Sequence, residues 1–232
     1  MRIYFIGAIH LCLLWNFLGC THSPGIGKNW SPQELFERAC EPGQHIHSVH
    51  GTAWLKIQSQ QISGQFPLSL SATAPNQMKL EVTNFFGGTE VLIDVQGEHY
   101  LVTRPDSGNF NQETGSGSWG GIPLKWATYL FFGKIPCPAS SDQLRLSTPE
   151  AGELRVLVSE YERFIYRFRD RKGKPWPESL HWERVNQSSL FVDFKFDDPD
   201  DLTLSPKKWE AQSSSGSIKV RWKERQVSYD PH

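Results

Sequence analysis

The chain has 232 residues, with 24 Lys and Arg against 25 Asp and Glu, a formal net charge of −1 at pH 7. That balance excludes the basic face that nucleic-acid binding needs, and it excludes capture by anionic lipid through charge alone. With 38% hydrophobic residues, including 9 Trp and 14 Phe, the chain is long and apolar enough for one well-filled domain.

Ile3 to Phe17 are mostly apolar, follow Arg2, and lead into Phe17-Leu18-Gly19-Cys20. A charged start, an apolar run and a small residue before the cut form an export signal. A cysteine directly after the small residue makes it a lipoprotein signal. Residues 1–19 are then expected to be removed and Cys20 to receive the lipid, such as palmitate. The run is shorter than the about 20 apolar residues that span a bilayer. Residues 20–30, rich in Gly, Pro and polar residues, read as a lipidated tether. The folded domain is expected over 31–232.

Of four cysteines, Cys12 leaves with the signal and Cys20 is used by the lipid. Cys40 and Cys137 remain. In an oxidising compartment they suggest either a disulfide or two separate buried thiols. Ser31-Pro32-Gln33-Glu34 is a helix start, with an N-cap Ser, Pro in the first turn and Glu placed to complete a capping box. The helix is expected to end near Cys40, with Leu35, Phe36 and Ala39 on its apolar side.

From Ser48 the apolar period changes to two. Leu68, Leu70 and Ala72, then Met78, Leu80 and Val82, then Val91, Ile93 and Val95 alternate with polar neighbours. Phe164, Tyr166 and Phe168 follow the same pattern, as do Leu190, Val192, Phe194 and Phe196, and Ile218, Val220 and Trp222. Such alternation marks strands with one buried and one wet face. Ala74-Pro75-Asn76 and Asp197-Asp198-Pro199-Asp200 are read as turns between them. Short strands in series, without alternating helices, give an antiparallel meander. Ser107 to Gly121, rich in Gly, Ser and Asn, is expected to loop out. Pro123 then opens an apolar helix, Leu124 to Phe132, closed by Gly133. With Lys125 as its one charge, this helix is expected to be buried against the concave side of the sheet.

Motifs for chemistry fail on context. Gly115-Ser116-Gly117-Ser118-Trp119-Gly120 matches a dinucleotide fingerprint literally, but lacks the buried strand before it and the helix start after it. His45, His47 and His50 do not share one strand face, so no metal site is expected there. The aspartates from Asp197 to Asp201 lack the glycine and distal glutamate of a calcium loop. Ser118 has Ser116 where a nucleophile elbow needs glycine. No catalytic residue, cofactor or metal is assigned, and the chain is read as a non-enzyme.

The informative segment is Asn84-Phe85-Phe86-Gly87-Gly88, between the two clearest strands. Hairpin tips hold polar turn formers, and a phenylalanine left in water costs about 1.5–3 kcal/mol. Either one ring folds back into the core, or the tip touches lipid or an apolar partner.

Leu80 to Val91, LEVTNFFGGTEV, resembles the strand–loop–strand of LolB, the outer-membrane lipoprotein receptor, whose pattern there is close to LLTNPLGSTEL. Gly121-Ile122-Pro123-Leu124, with Trp126 and Phe132-Gly133, is similar to that family's GxPxPL segment and the helix after it. Gly216 to Lys223 fits its last strand. The resemblance implies a mainly β fold: a half-open antiparallel barrel of about 10–11 strands, capped by a few short helices around an apolar cavity. It implies that acyl chains of lipoproteins are accepted from a LolA-like periplasmic carrier and released into the outer membrane. Phe86 falls on the family's membrane-entering Leu and Phe85 on the preceding Pro. Expected cavity residues are Met78, Leu80, Val82, Val91, Ile93, Val95, Trp126 and Leu130. Thr21 after Cys20 lacks the Asp that holds some lipoproteins at the inner membrane, so the expected place is the outer membrane, facing the periplasm. Two alternatives stay open: the same fold carrying a phospholipid or glycolipid, and a tethered interaction protein with a filled interior.

Overall fold

The computed structural model describes residues 30–60, 62–106, 109–119, 121–139, 143–184 and 190–229. Cys20, the signal segment and most of the tether lie outside them. Helix α1 (Pro32–Cys40) carries the full capping box: Ser31 Oγ accepts from Glu34 N–H, and the Glu34 carboxylate accepts from Ser31 N–H. Its Leu35 and Ala39 are buried and Phe36 is half-buried.

The strands follow in order: β1 (Ile46–Ser59), β2 (Ser63–Thr73), β3 (Gln77–Thr83), β4 (Thr89–Gln96), β5 (His99–Asp106) and β6 (Asn109–Ser116). A small hairpin, β7 (Ser118–Trp119) and β8 (Ile122–Pro123), leads directly into α2 (Leu124–Phe132). The second half comprises β9 (Arg145–Ser147), β10 (Glu153–Ser159), β11 (Glu162–Arg171), β12 (Lys174–Arg184), β13 (Phe191–Pro199), β14 (Pro206–Ser213) and β15 (Gly216–Tyr229). Among the described residues, thirteen strands form one antiparallel sheet in the order β6-β5-β4-β3-β2-β1-β15-β14-β13-β12-β11-β10-β9. Strands β6 and β9 each pair on one side, so the sheet curls without closing. This is the expected half-open meander, with more strands than the resemblance suggested.

The turn at Ala74-Pro75-Asn76 lies where expected. The later one begins at Asp200, because β13 runs on to Pro199. The expectation of a loop over Ser107 to Gly121 is corrected: Asn109 to Ser116 form β6, paired with β5 from Asp106↔Asn109 to His99↔Ser116, and Ser118–Trp119 form β7. An edge strand takes its order from backbone hydrogen bonds along one side. It needs no apolar face, and polar residues there discourage pairing with a second molecule.

Strand alternation holds over most of the residues read, although Leu190 precedes β13 and Val91 and Ile218 are only half-buried. Leu68, Leu70, Ala72, Met78, Leu80, Val82, Ile93, Val95, Phe164, Tyr166, Val192, Phe194, Phe196 and Val220 are all buried on one face. The chain passes from one free edge to the other through α2, which lies against β1 and β2. Trp126 of α2 meets Phe164 of β11 edge-on at 5.8 Å, and Phe131 meets Trp209 of β14 at 5.1 Å. Touching both halves of the sheet places α2 on the concave face. Gly133, at φ 74°, ends the helix. Helix α1 packs on β9, β10 and β12. Cys40 is disulfide-bonded to Cys137, with Cα atoms 5.8 Å apart. The bond joins the end of α1 to the segment after α2.

The β13–β14 turn is organised by Asp200. Its Oδ1 accepts from Leu202 N–H at 2.9 Å, Thr203 N–H at 3.1 Å and the Thr203 hydroxyl at 3.2 Å, and Lys207 Nζ stands 3.4 Å from Oδ2. Burial pushes this carboxyl up, but the two backbone donors and Lys207 outweigh it and leave it below the ordinary carboxylate value. A carboxylate held low in the folded state stabilises above its unfolded value, about pH 4, and loses that contribution as pH falls through the folded value. The stability gap between the native chain and Asp200→Asn, read from denaturant unfolding, is therefore expected to be constant near neutrality and to shrink below about pH 4. A gap that widened on acidification would contradict the assignment.

Candidate functional site

The β3–β4 hairpin ends in a bracket built by one side chain. Asn84 Oδ1 accepts from Phe86 N–H at 3.0 Å and Gly88 N–H at 2.9 Å, and Asn84 Nδ2 donates to Glu90 Oε1 at 2.9 Å. The backbone closes the same loop, with Asn84 N–H donating to Gly88 O at 2.8 Å and Gly87 N–H to Asn84 O at 3.1 Å. Gly87 sits at φ 85°, in the left-handed region that glycine enters without steric cost. This hydrogen-bonded base presents two phenylalanines outward: Phe85 is 74% exposed and Phe86 100%. Neither ring returns to the core. Phe85 leans on Trp54, on the outer face of β1, at 6.3 Å between ring centres, and Lys223 Nζ lies 6.0 Å from the Trp54 ring.

The antiparallel order puts alternate hairpins on one rim. The β1–β2, β3–β4 and β10–β11 turns share it, and they carry exposed Ile62, Phe85, Phe86 and Tyr161. Large apolar side chains are costly to leave in water, and here several stand at one end of the half-barrel.

The residues expected to line a cavity are brought together on the inner face. Met78, Leu80, Val82, Ile93 and Val95 are buried in β3 and β4, and Val91 is half-buried near the tip. Trp126 and Leu130 are buried on α2. They meet around the helix itself: Trp126, Leu130, Phe131 and Phe132 fill the hollow of the sheet. The interior is thus mainly apolar, with the side chains of α2 packed into it. Tyr166 marks how dry it is. Its hydroxyl donates to Pro136 O at 2.7 Å, and burial pushes its pKa well up.

Sequence reasoning missed the groups that hold α2 in place. Arg225 Nη2 donates to Phe132 O at 2.7 Å, at the carbonyl end of the helix where a cation is favoured. Burial pushes its pKa down to about 10, so it remains charged at neutral pH. Arg225 is odd-numbered, whereas the inward set Val220 and Trp222 is even. A register shift between Thr52 and Ala53 against β15 reverses the parity and turns Arg225 inward. Gly51 permits this pairing: a Cβ there would lie 2.1 Å from Glu224 O. A bulge leaves no trace in hydrophobic periodicity.

Among the described residues no group of three His, Cys, Asp or Glu is placed to hold a metal ion. Of the dinucleotide-like glycines, Gly115 lies in β6 facing the Tyr100 ring and Gly117 stands between β6 and β7, neither at a helix start, and Gly120 lies outside the described residues.

No protein-family model and no curated protein sequence matches the chain. Solved structures do. A LolA superfamily protein from Nitrosomonas europaea superposes with a TM-score of 0.50 at 11% identity, covering 88% of this chain and 96% of that one. A DUF1329 family protein from Desulfovibrio piger superposes with a TM-score of 0.50 at 9% identity, covering 82% of this chain and 89% of that one. The architecture is therefore that of the LolA-like open β-barrel.

Proposed function

We propose that this chain is an envelope lipoprotein, anchored through Cys20, that shelters acyl chains of other lipoproteins and passes them to the outer membrane. The observation that carries the proposal is the Phe85–Phe86 tip, presented outward to solvent on a hydrogen-bonded base. The apolar inner face of an open sheet and the LolA-like architecture support it. A buried methylene is worth about 0.8 kcal/mol, so exposing a chain of some fourteen costs about 11 kcal/mol. A receptor that exchanges one greasy surface for another makes transfer nearly isoenergetic, and it requires no covalent chemistry. Because α2 occupies the hollow, an incoming chain replaces contacts now made by Trp126, Leu130, Phe131 and Phe132 rather than entering an empty space. A LolA-like carrier is the donor in this scheme and the outer membrane, on its periplasmic side, the acceptor.

A second reading follows from the same helix. An interior packed through its centre also suits a tethered interaction protein whose apolar tip grips a partner. Depletion followed by membrane fractionation separates the two. Transfer predicts that other lipoproteins accumulate away from the outer membrane. An unchanged distribution would favour the interaction protein.

A further inference from the structure

A second hollow lies far from the apolar tip, between α1, the β11–β12 hairpin and the β13–β14 loop, with a volume of about 190 Å³. Its floor is apolar, made by Pro175, Trp176 and Leu204. Trp176 is buried, and its indole N–H donates to Leu204 O at 3.0 Å, which fixes the floor to the β13–β14 loop.

Four cations surround this floor, Arg38, Arg171, Lys172 and Lys174, against the single carboxylate of Asp201. The excess is local, since the chain as a whole is nearly neutral. Arg171 is held in place: Nη1 donates to Pro199 O at 3.0 Å and Nη2 to Asp201 Oδ1 at 2.8 Å. Lys172 Nζ reaches the same carboxylate oxygen at 3.5 Å, and Arg38 pairs with Glu41 at 2.6 Å. Lys174 makes no ion pair among the described residues. Asp201 and Glu41 are the carboxylates paired with these cations, and Asp170, whose Oδ1 accepts from Gly173 N–H at 2.9 Å in the same hairpin, is a third acid nearby, so the four cations still exceed the local acids.

The backbone adds a separate sign. Arg171 pairs with Lys174, so the hairpin turns on Lys172 and Gly173, at φ 53° and 80°. A two-residue turn with both φ values positive is normally built from Asn-Gly, Asp-Gly or Gly-Gly. Lysine is disfavoured there, and its presence puts a cation on the rim of the hollow at the expense of an easy turn. Strain of this kind collects where a ligand is held.

We propose that this hollow binds a compact phosphate-bearing ligand, its oxygens facing Arg38, Arg171, Lys172 and Lys174 and its small apolar part resting on Trp176. With Arg171 and Arg38 partly engaged by Asp201, Pro199 O and Glu41, the remaining guanidinium N–H groups and the two ammonium groups still suit a phosphate, which carries up to two charges and three strong acceptor oxygens. The volume is below the range of about 300–1,000 Å³ for whole small-molecule sites, which suits a headgroup or a small ester rather than a full lipid.

The test is a titration followed by calorimetry and by the Trp176 indole N–H resonance, with inorganic phosphate, glycerol 3-phosphate and monomeric dihexanoyl phosphatidylglycerol as probes. Saturable one-to-one binding is expected, tighter for glycerol 3-phosphate than for inorganic phosphate because of the apolar floor. Strongest binding by the short lipid assigns the site to a lipid headgroup. Strongest binding by glycerol 3-phosphate assigns it to a soluble ester. Lys172→Asn is the discriminating variant: it is expected to raise the melting temperature while lowering affinity about threefold, and Lys174→Gln should lower affinity similarly. The proposal is overturned if no probe saturates the protein, or if both variants bind as the native chain does.

Discussion

Replacing Phe85 and Phe86 together by glutamate is expected to leave the fold intact and to abolish the hold of the unlipidated chain on a bilayer. Phe86 stands fully in water and Phe85 leans on Trp54, on a loop whose order comes from Asn84, so their loss removes little packing and is expected to change stability by about 1.5 kcal/mol or less. Entry into lipid would gain about 1.5–3 kcal/mol for each ring, or about 3–6 kcal/mol for the pair, a factor of about 10² to 10⁴ in partitioning. The charges that replace them resist entry further. The measurement is co-sedimentation of the unlipidated chain with neutral vesicles. Equal sedimentation of the native and variant chains would remove the tip from the account and leave Ile62 and Tyr161 on the same rim as the groups to examine.

The second large effect concerns the helices. Changing Cys40 and Cys137 to serine is expected to cost about 2–5 kcal/mol. The bond spans 97 residues, and closing a loop of about 100 residues removes unfolded-state entropy worth about 4.7 kcal/mol in the chain-entropy model. For a domain near 200 residues this corresponds to a fall in melting temperature of roughly 4–20 °C. Thermal unfolding of the oxidised, reduced and double-serine chains checks it. The first should stand alone and the other two together. Three coincident curves would mean that burial of Leu35 and Ala39, with Tyr166 bonded to Pro136 O, already fixes this corner.

Much of this architecture was legible in the residues. Ser31-Pro32-Gln33-Glu34 specified α1, because capping is a local interaction complete within four residues. The alternating sets around Leu80 and Ile93 gave the strands and an apolar face on each, whereas which face lines the hollow came only with the structure, since a one-residue slip in register reverses it. The apolar helix from Leu124 to Phe132 announced its own burial. Three features stayed hidden, each for a physical reason. Strand β6 has no apolar rhythm, being ordered by backbone pairing at an edge. Arg225 turned inward through a bulge that periodicity does not encode. The hollow around Trp176 is assembled from α1, the β11–β12 hairpin and the β13–β14 loop, and α1 lies more than a hundred residues before the other two. At the candidate site, the sequence identified an apolar tip, an apolar interior and a helix buried against its concave side, but not the groups, such as Arg225, that hold that helix.

The most direct measurement asks whether the concave face receives acyl chains in place of α2. Native mass spectrometry of the unlipidated chain with a triacylated cysteine lipopeptide provides it, with the non-acylated peptide as control. The account predicts one acylated peptide per chain, a change in the fluorescence of tryptophans packed on α2, and no binding of the control. If the acylated peptide fails to bind while the chain remains folded, the interior is a sealed core and the transfer role is contradicted.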